Sequence, residues 1–183
     1  MKTILQIATI GSFLFGPSFC LADTTPADSV PKEIEAALKT SYRDWEIQTF
    51  TNLGPTEKAK WTKTNQSDCP GIATGHFTSK SLLDYVLLLI PKDSKKLGYK
   101  VLLFSPKNGG FVITPVTKGR AHARSHDGVW NGNKPGGYAT YNAAGEKVDS
   151  AFKLDLIAVE TREDSTELFY WSKGHFHMLS AQH

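Results

Sequence analysis

The residues of this chain whose types and spacing could do chemistry are two histidine pairs, a cysteine and one carboxylate-bearing turn. His122 and His126 stand four apart in Gly119-Arg120-Ala121-His122-Ala123-Arg124-Ser125-His126-Asp127. On a helix that spacing puts both imidazoles on one face, where they could share a zinc ion. No glutamate follows His122 to act as a base, and Gly128 and Gly132 cut a helix short. A remote carboxylate such as Asp127 or Asp155 would have to complete the ligand set. His175 and His177 flank Phe176. On a strand the period of two sends both rings to one face, opposite Phe176. With His183 they could make an exposed metal-affine patch; the alternative is a solvent-facing strand with its aromatic buried.

Nucleophilic catalysis finds no support. No Gly-x-Ser-x-Gly turn occurs, and Cys69, in Asp68-Cys69-Pro70-Gly71, has no neighbouring base in sequence. Cys69 reads as a half-buried small apolar residue, alone once Cys20 has left with the leader. Asp155 and Glu160, five apart, point to opposite faces of a strand and make poor acid–base partners. The glycines of Gly132-Asn133-Lys134-Pro135-Gly136-Gly137 open no helix and form no phosphate-binding loop.

What remains is a surface. Trp130, Asn131, Asn133, Tyr138 and Tyr141 fall in or beside a Gly-, Asn- and Pro-rich stretch from 117 to 151, read as a long irregular excursion with a short strand near Tyr138 to Tyr141. Exposed Trp, Tyr and Asn on such a loop suit recognition of a protein or a glycan. The same rings could instead pin the loop to the core.

The ends bound the compartment. Met1-Lys2, a mostly apolar run from Ile4 to Phe19 and the small residues of Cys20-Leu21-Ala22 have the three parts of a secretory leader, assigned to 1–22. Phe19 before Cys20 argues against a lipid anchor, and no later stretch is apolar enough to span a bilayer. The expected location is periplasmic or secreted. The formal net charge of +3 falls to +2 when Lys2 leaves, and no basic cluster is interleaved with aromatics, so nucleic acid is not an expected partner.

The elements that must position these residues follow from periodicity. Residues 23–30 are small and polar, a flexible N-terminus. From Pro31 to Trp45, Ile34, Leu38, Tyr42 and Trp45 recur at helical spacing, with Glu33 and Glu35 at the first turn. Residues 46–68 carry no clear period, with Trp61 as an anchor. Strands are predicted at 71–77, 85–90, 99–104, 111–116, 153–161, 167–171 and 176–179. Turns are predicted at Lys107-Asn108-Gly109-Gly110 and Ser172-Lys173-Gly174-His175, whose residues accept positive φ. The fold class is α+β: one domain over 31–183, its N-terminal helix packed on a mostly antiparallel sheet of about six to eight strands.

Gly75-His76-Phe77-Thr78-Ser79-Lys80-Ser81-Leu82-Leu83-Asp84-Tyr85, running into Val86-Leu87-Leu88-Leu89-Ile90, resembles the calcium hairpin of FG-GAP/VCBS-type repeats. In those a loop of the form Asp-Phe-Asn-Gly-Asp-Gly-x-x-Asp precedes a tyrosine and an aliphatic strand. Phe77, Asp84 and Tyr85 stand at matching positions without a gap. His76, Thr78 and Lys80 stand where oxygen donors would be, and Ser79 and Ser81 replace the turn glycines. Calcium requires six or more oxygens. The expectation is therefore a loop that keeps a structural role without metal, Asp84 accepting hydrogen bonds from loop amides. Asp155-Leu156-Ile157, Glu160 and Phe169-Tyr170-Trp171-Ser172-Lys173-Gly174-His175-Phe176 resemble the C-terminal part of small exported bacterial proteins of uncharacterised family that carry one such hairpin. The resemblance implies a fold and no activity. The expected function is a non-enzymatic exported binding protein, without cofactor, acting on a macromolecule in the cell envelope, an inhibitor or immunity protein being one version. The alternative is a small metal-dependent hydrolase built on His122 and His126.

Overall fold

Val86-Leu87-Leu88-Leu89 is apolar at every position, so a strand through it must be covered on both faces. The computed structural model of the chain describes residues 30–64, 69–117, 128–131, 140–141, 147–148, 152–160 and 166–180. In chain order these form α1 (Lys32–Ser41), β1 (Trp45–Ile47), a single 3-10 turn (Phe50–Asn52), α2 (Pro55–Thr64), β2 (Ile72–Gly75) and β3 (Asp84–Pro91). There follow β4 (Lys100–Lys107), β5 (Gly110–Pro115), β6 (Gly128–Asn131), β7 (Thr140–Tyr141), β8 (Lys147–Val148), β9 (Ile157–Glu160), β10 (Thr166–Ser172) and β11 (His175–Ser180).

The strands divide between two principal antiparallel sheets, where one sheet was expected from the sequence. The first runs β1-β3-β4-β5, with β2 also paired to β3; the second runs β11-β10-β9-β6. β7 and β8 pair only with each other. Val86, Leu88, Val101 and Leu103 of the first sheet meet Val129, Ile157, Val159 and Phe169 of the second in a buried cluster between them. The alternate residues Leu87, Leu89, Leu102 and Phe104 turn the other way and pack with Ile34 of α1. On the far face of the second sheet Ala158 and Leu168 pack with Trp61 of α2. The order of layers is therefore helix, sheet, sheet, helix. An all-apolar strand demands two covers, and here one cover is a helix and the other a sheet.

One edge of β3 is shared. β1 pairs with its C-terminal end, Ile47 opposite Leu89, and β2 with its N-terminal end, Ile72 opposite Leu87. Between them Leu88 donates its N–H to the Gly71 carbonyl and accepts from the Gln48 N–H, both at 2.9 Å. The ladder thus continues across the gap without a lost bond. The two sheets meet near this corner, where the Val129 N–H of β6 donates to the Pro70 carbonyl at 2.7 Å.

The hairpin turns have the geometry their residues favour. Asn108 and Gly109 have φ of 50° and 79°, and Lys173 and Gly174 have 50° and 82°. Positive φ at both central residues matches the twist of the flanking strands. Tyr85 lies edge-on to Phe111 at 6.0 Å, and burial pushes its phenol pKa above the usual value.

Several expectations need correction. The helix predicted to Trp45 ends at Ser41, where the Tyr42 N–H closes on the Leu38 carbonyl, and Trp45 opens β1 instead. Residues 46–68, left without an element, include β1, the 3-10 turn and α2. In the stretch 117–151 β7 falls where a short strand was expected, and β6 and β8 are strands that were not expected. Cys69 is disulfide-bonded rather than alone. The other cysteine in the sequence, Cys20, lies outside the described residues. No helix among the described residues is long and apolar enough to cross a membrane.

Candidate functional site

The loop between β2 and β3 concentrates polar side chains, and most of their capacity is spent within the fold. Phe77 is fully buried between the two sheets and pins the loop from beneath. Asp84, also fully buried, accepts from the Thr78 N–H at 2.7 Å and the Thr78 hydroxyl at 2.8 Å, both through Oδ2. Its Oδ1 is buried and has no hydrogen-bond partner among the described residues. His76 Nδ1 lies 2.8 Å from the Leu82 carbonyl. A carbonyl can only accept, so Nδ1 carries the proton. Ser79 and Ser81 share a hydroxyl contact at 2.9 Å.

The loop is also tied to the segment that leads into β9. The His76 N–H donates to Asp155 Oδ2 at 2.8 Å, and the Asp155 N–H donates back to the His76 carbonyl at 3.1 Å. This reciprocal pair joins residues 79 positions apart. Nothing local in the sequence signals it. A second long-range tie is the ion pair of Lys60 and Glu160, 2.6 Å apart, which fastens α2 to β9 with the carboxylate buried. Asp155 and Glu160 are thus engaged with different partners and do not form an acid–base pair.

Asp84→Ala is expected to cost about 2 kcal/mol, because the Thr78 amide loses its acceptor inside the fold. Urea denaturation should give the same loss in chelator as in millimolar calcium, since His76, Thr78 and Lys80 beside Asp84 supply too few oxygen donors for that ion.

A second concentration of polar and aromatic groups lies on the β10–β11 hairpin. The rings of Phe152, Tyr170, His177 and His175 follow one another on the outer face of the second sheet. Phe152 and Tyr170 are 5.3 Å apart, Tyr170 and His177 stack at 5.0 Å, and His177 and His175 approach to 4.1 Å. Tyr170 and His177 are directly opposed in the strand register, as are Ser172 and His175. On the opposite face Trp171 meets Phe176 edge-on at 4.9 Å, and Phe176 packs against the core between the sheets. The period of two places these residues, and the cross-strand register brings Tyr170 into the row.

The surface residues singled out from sequence are only partly placed. Trp130 and Asn131 are consecutive on β6, opposite Ala158 and Ile157 of β9, so they belong to a strand rather than to a loop. The reason is the period-two run Val129-Trp130-Asn131, too short to stand out among glycines. Tyr141 is on β7 opposite Lys147. Asn133, Tyr138, His122, His126 and Asp127 lie outside the described residues. Among the described residues no group of three or more His, Cys, Asp or Glu side chains is gathered closely enough to hold a metal ion. The chain matches no protein-family model, no curated protein and no solved structure.

Proposed function

We propose that this chain is an exported, non-enzymatic binding protein that acts on a protein or glycan of the cell envelope, with an inhibitor or immunity protein as its most concrete form. The observation that carries this reading is the bracing of the 76–84 loop. His76, Thr78, Asp84 and Asp155 bond to one another and to backbone. Groups fixed in this way support a scaffold. In this reading the hairpin is a calcium hairpin that has lost its metal, and the helix near the N-terminus covers the sheet. The working surface includes Trp130 and Asn131 on β6, with Asn133, Tyr138 and Tyr141 following in the chain.

The test is capture from envelope extract with the untagged protein immobilised, wild type against Trp130→Ala. A specific partner retained by the wild type should fall by about tenfold or more with the variant, as for an aromatic anchor at an interface centre. An unchanged partner profile, with the variant folded by circular dichroism, removes Trp130 from the surface. Stoichiometric zinc in protein purified without nickel would instead favour the hydrolase built on His122 and His126.

A further inference from the structure

We infer that His175 and His177 form a two-imidazole site for a square-planar divalent transition ion, copper(II) above all, on the outer face of the β10–β11 hairpin. The two residues are alternate on β11, so their side chains leave the same face, and their ring centres stand 4.1 Å apart at an interplanar angle of 41°. Two imidazoles bound to one ion at about 2.0–2.1 Å and at a right angle hold their ring centres roughly 4.5 Å apart, close to the spacing here, and rotation about the side-chain torsions would aim the in-plane lone pairs at a shared ion. A right-angled pair of nitrogens is the arrangement that copper(II) and nickel(II) favour, and copper(II) heads the affinity series.

Each ring has a nitrogen suited to the role. His175 Nδ1 is 3.3 Å from the Lys173 carbonyl, which can only accept; the tautomer that donates there leaves Nε2 with its lone pair. This is the usual support of a metal-bound histidine, one nitrogen held by backbone and the other free for the ion. His177 Nε2 is buried and has no hydrogen-bond partner among the described residues. A buried nitrogen left without a partner is costly, and an ion meeting its in-plane lone pair would satisfy it. Tyr170 stacks on the His177 ring at an angle of 20°. The two-residue turn at Lys173-Gly174 fixes the end of the hairpin from which both histidines project. Water would complete the square, since no third protein ligand stands close among the described residues.

Isothermal titration of the untagged chain with copper(II) should show saturable uptake of one ion. Its paramagnetic resonance spectrum should carry hyperfine splitting from two imidazole nitrogens. His175→Gln and His177→Gln should each weaken binding by more than the roughly tenfold that loss of a supporting group around a metal costs. His177→Phe keeps a ring against Tyr170 while removing the nitrogens; it should hold the melting temperature near wild type and still lose the ion. Undiminished copper uptake by the H175Q/H177Q chain would place the affinity elsewhere and overturn the assignment. So would a spectrum with one nitrogen or none, or no uptake at all.

Discussion

Gly71→Ala should destabilise the protein by about 3 kcal/mol, from overpacking against atoms that cannot move aside. A Cβ at this position would overlap the Gln48 carbonyl oxygen and come within 2.8 Å of both the Gln48 nitrogen and Ile47 Cγ2. Two of those three atoms are backbone. Neither segment can retreat freely, because Gln48 and Gly71 each bond to Leu88 in the centre of the first sheet. Pushing them apart would break the ladder where the edge of β3 passes from β1 to β2. The melting temperature should drop by roughly 6–12 °C, at 2–4 °C per kcal/mol for a chain of this size. Gly110→Ala is the control: its nearest neighbour would be the Lys107 carbonyl oxygen at 3.9 Å, so little should change. Equal melting of the two variants would mean that β1 and β2 do not share an edge in this way.

The contrast between these glycines shows what a sequence can and cannot disclose. Gly109 and Gly174 belong to local turns, and the residues beside them already specify the conformation. Their hairpins could therefore be read directly. Gly71 is needed because of Gln48, which reaches it only through the fold, so its role left no local mark. The split into two sheets was hidden for a related reason. A run such as Val86 to Leu89 requires two covers without naming them, and helix and sheet both satisfy it. The candidate site divides in the same manner. Thr78 and Asp84 are near neighbours within one turn, and a structural role for Asp84 could be expected from the loop alone. The bond between His76 and Asp155 joins residues 79 positions apart and could not. The approach of His175 to His177 follows from the period of two, whereas the stacking of Tyr170 on His177 depends on the register of the hairpin.

Helix α2 is the clearest case of an element that tertiary packing creates. Pro55–Thr64 reads Pro-Thr-Glu-Lys-Ala-Lys-Trp-Thr-Lys-Thr, with Trp61 as its one large apolar side chain. A ten-residue helix with so little amphipathic pattern is marginal by itself in water. Trp61 is 2 % exposed and packs with Leu53, Leu156, Ala158 and Leu168. Trp61→Ala should therefore cost about 3–5 kcal/mol, the usual range for emptying a buried tryptophan site. The loss should also be local in a way that an ordinary core deletion is not. Without Trp61 the Lys60–Glu160 pair still ties α2 to β9, but taking its carboxylate out of water offsets much of the attraction between the two charges. Hydrogen exchange should show the amides of α2 losing protection while those of β3 and β4 keep theirs in a chain that remains folded. Trp61→Phe, which retains a ring in the site, should keep most of the stability and the protection of α2. Uniform loss of protection across both sheets would show instead that α2 is integral to the cooperative core. Unchanged exchange in α2 would show that the helix does not depend on its single apolar anchor.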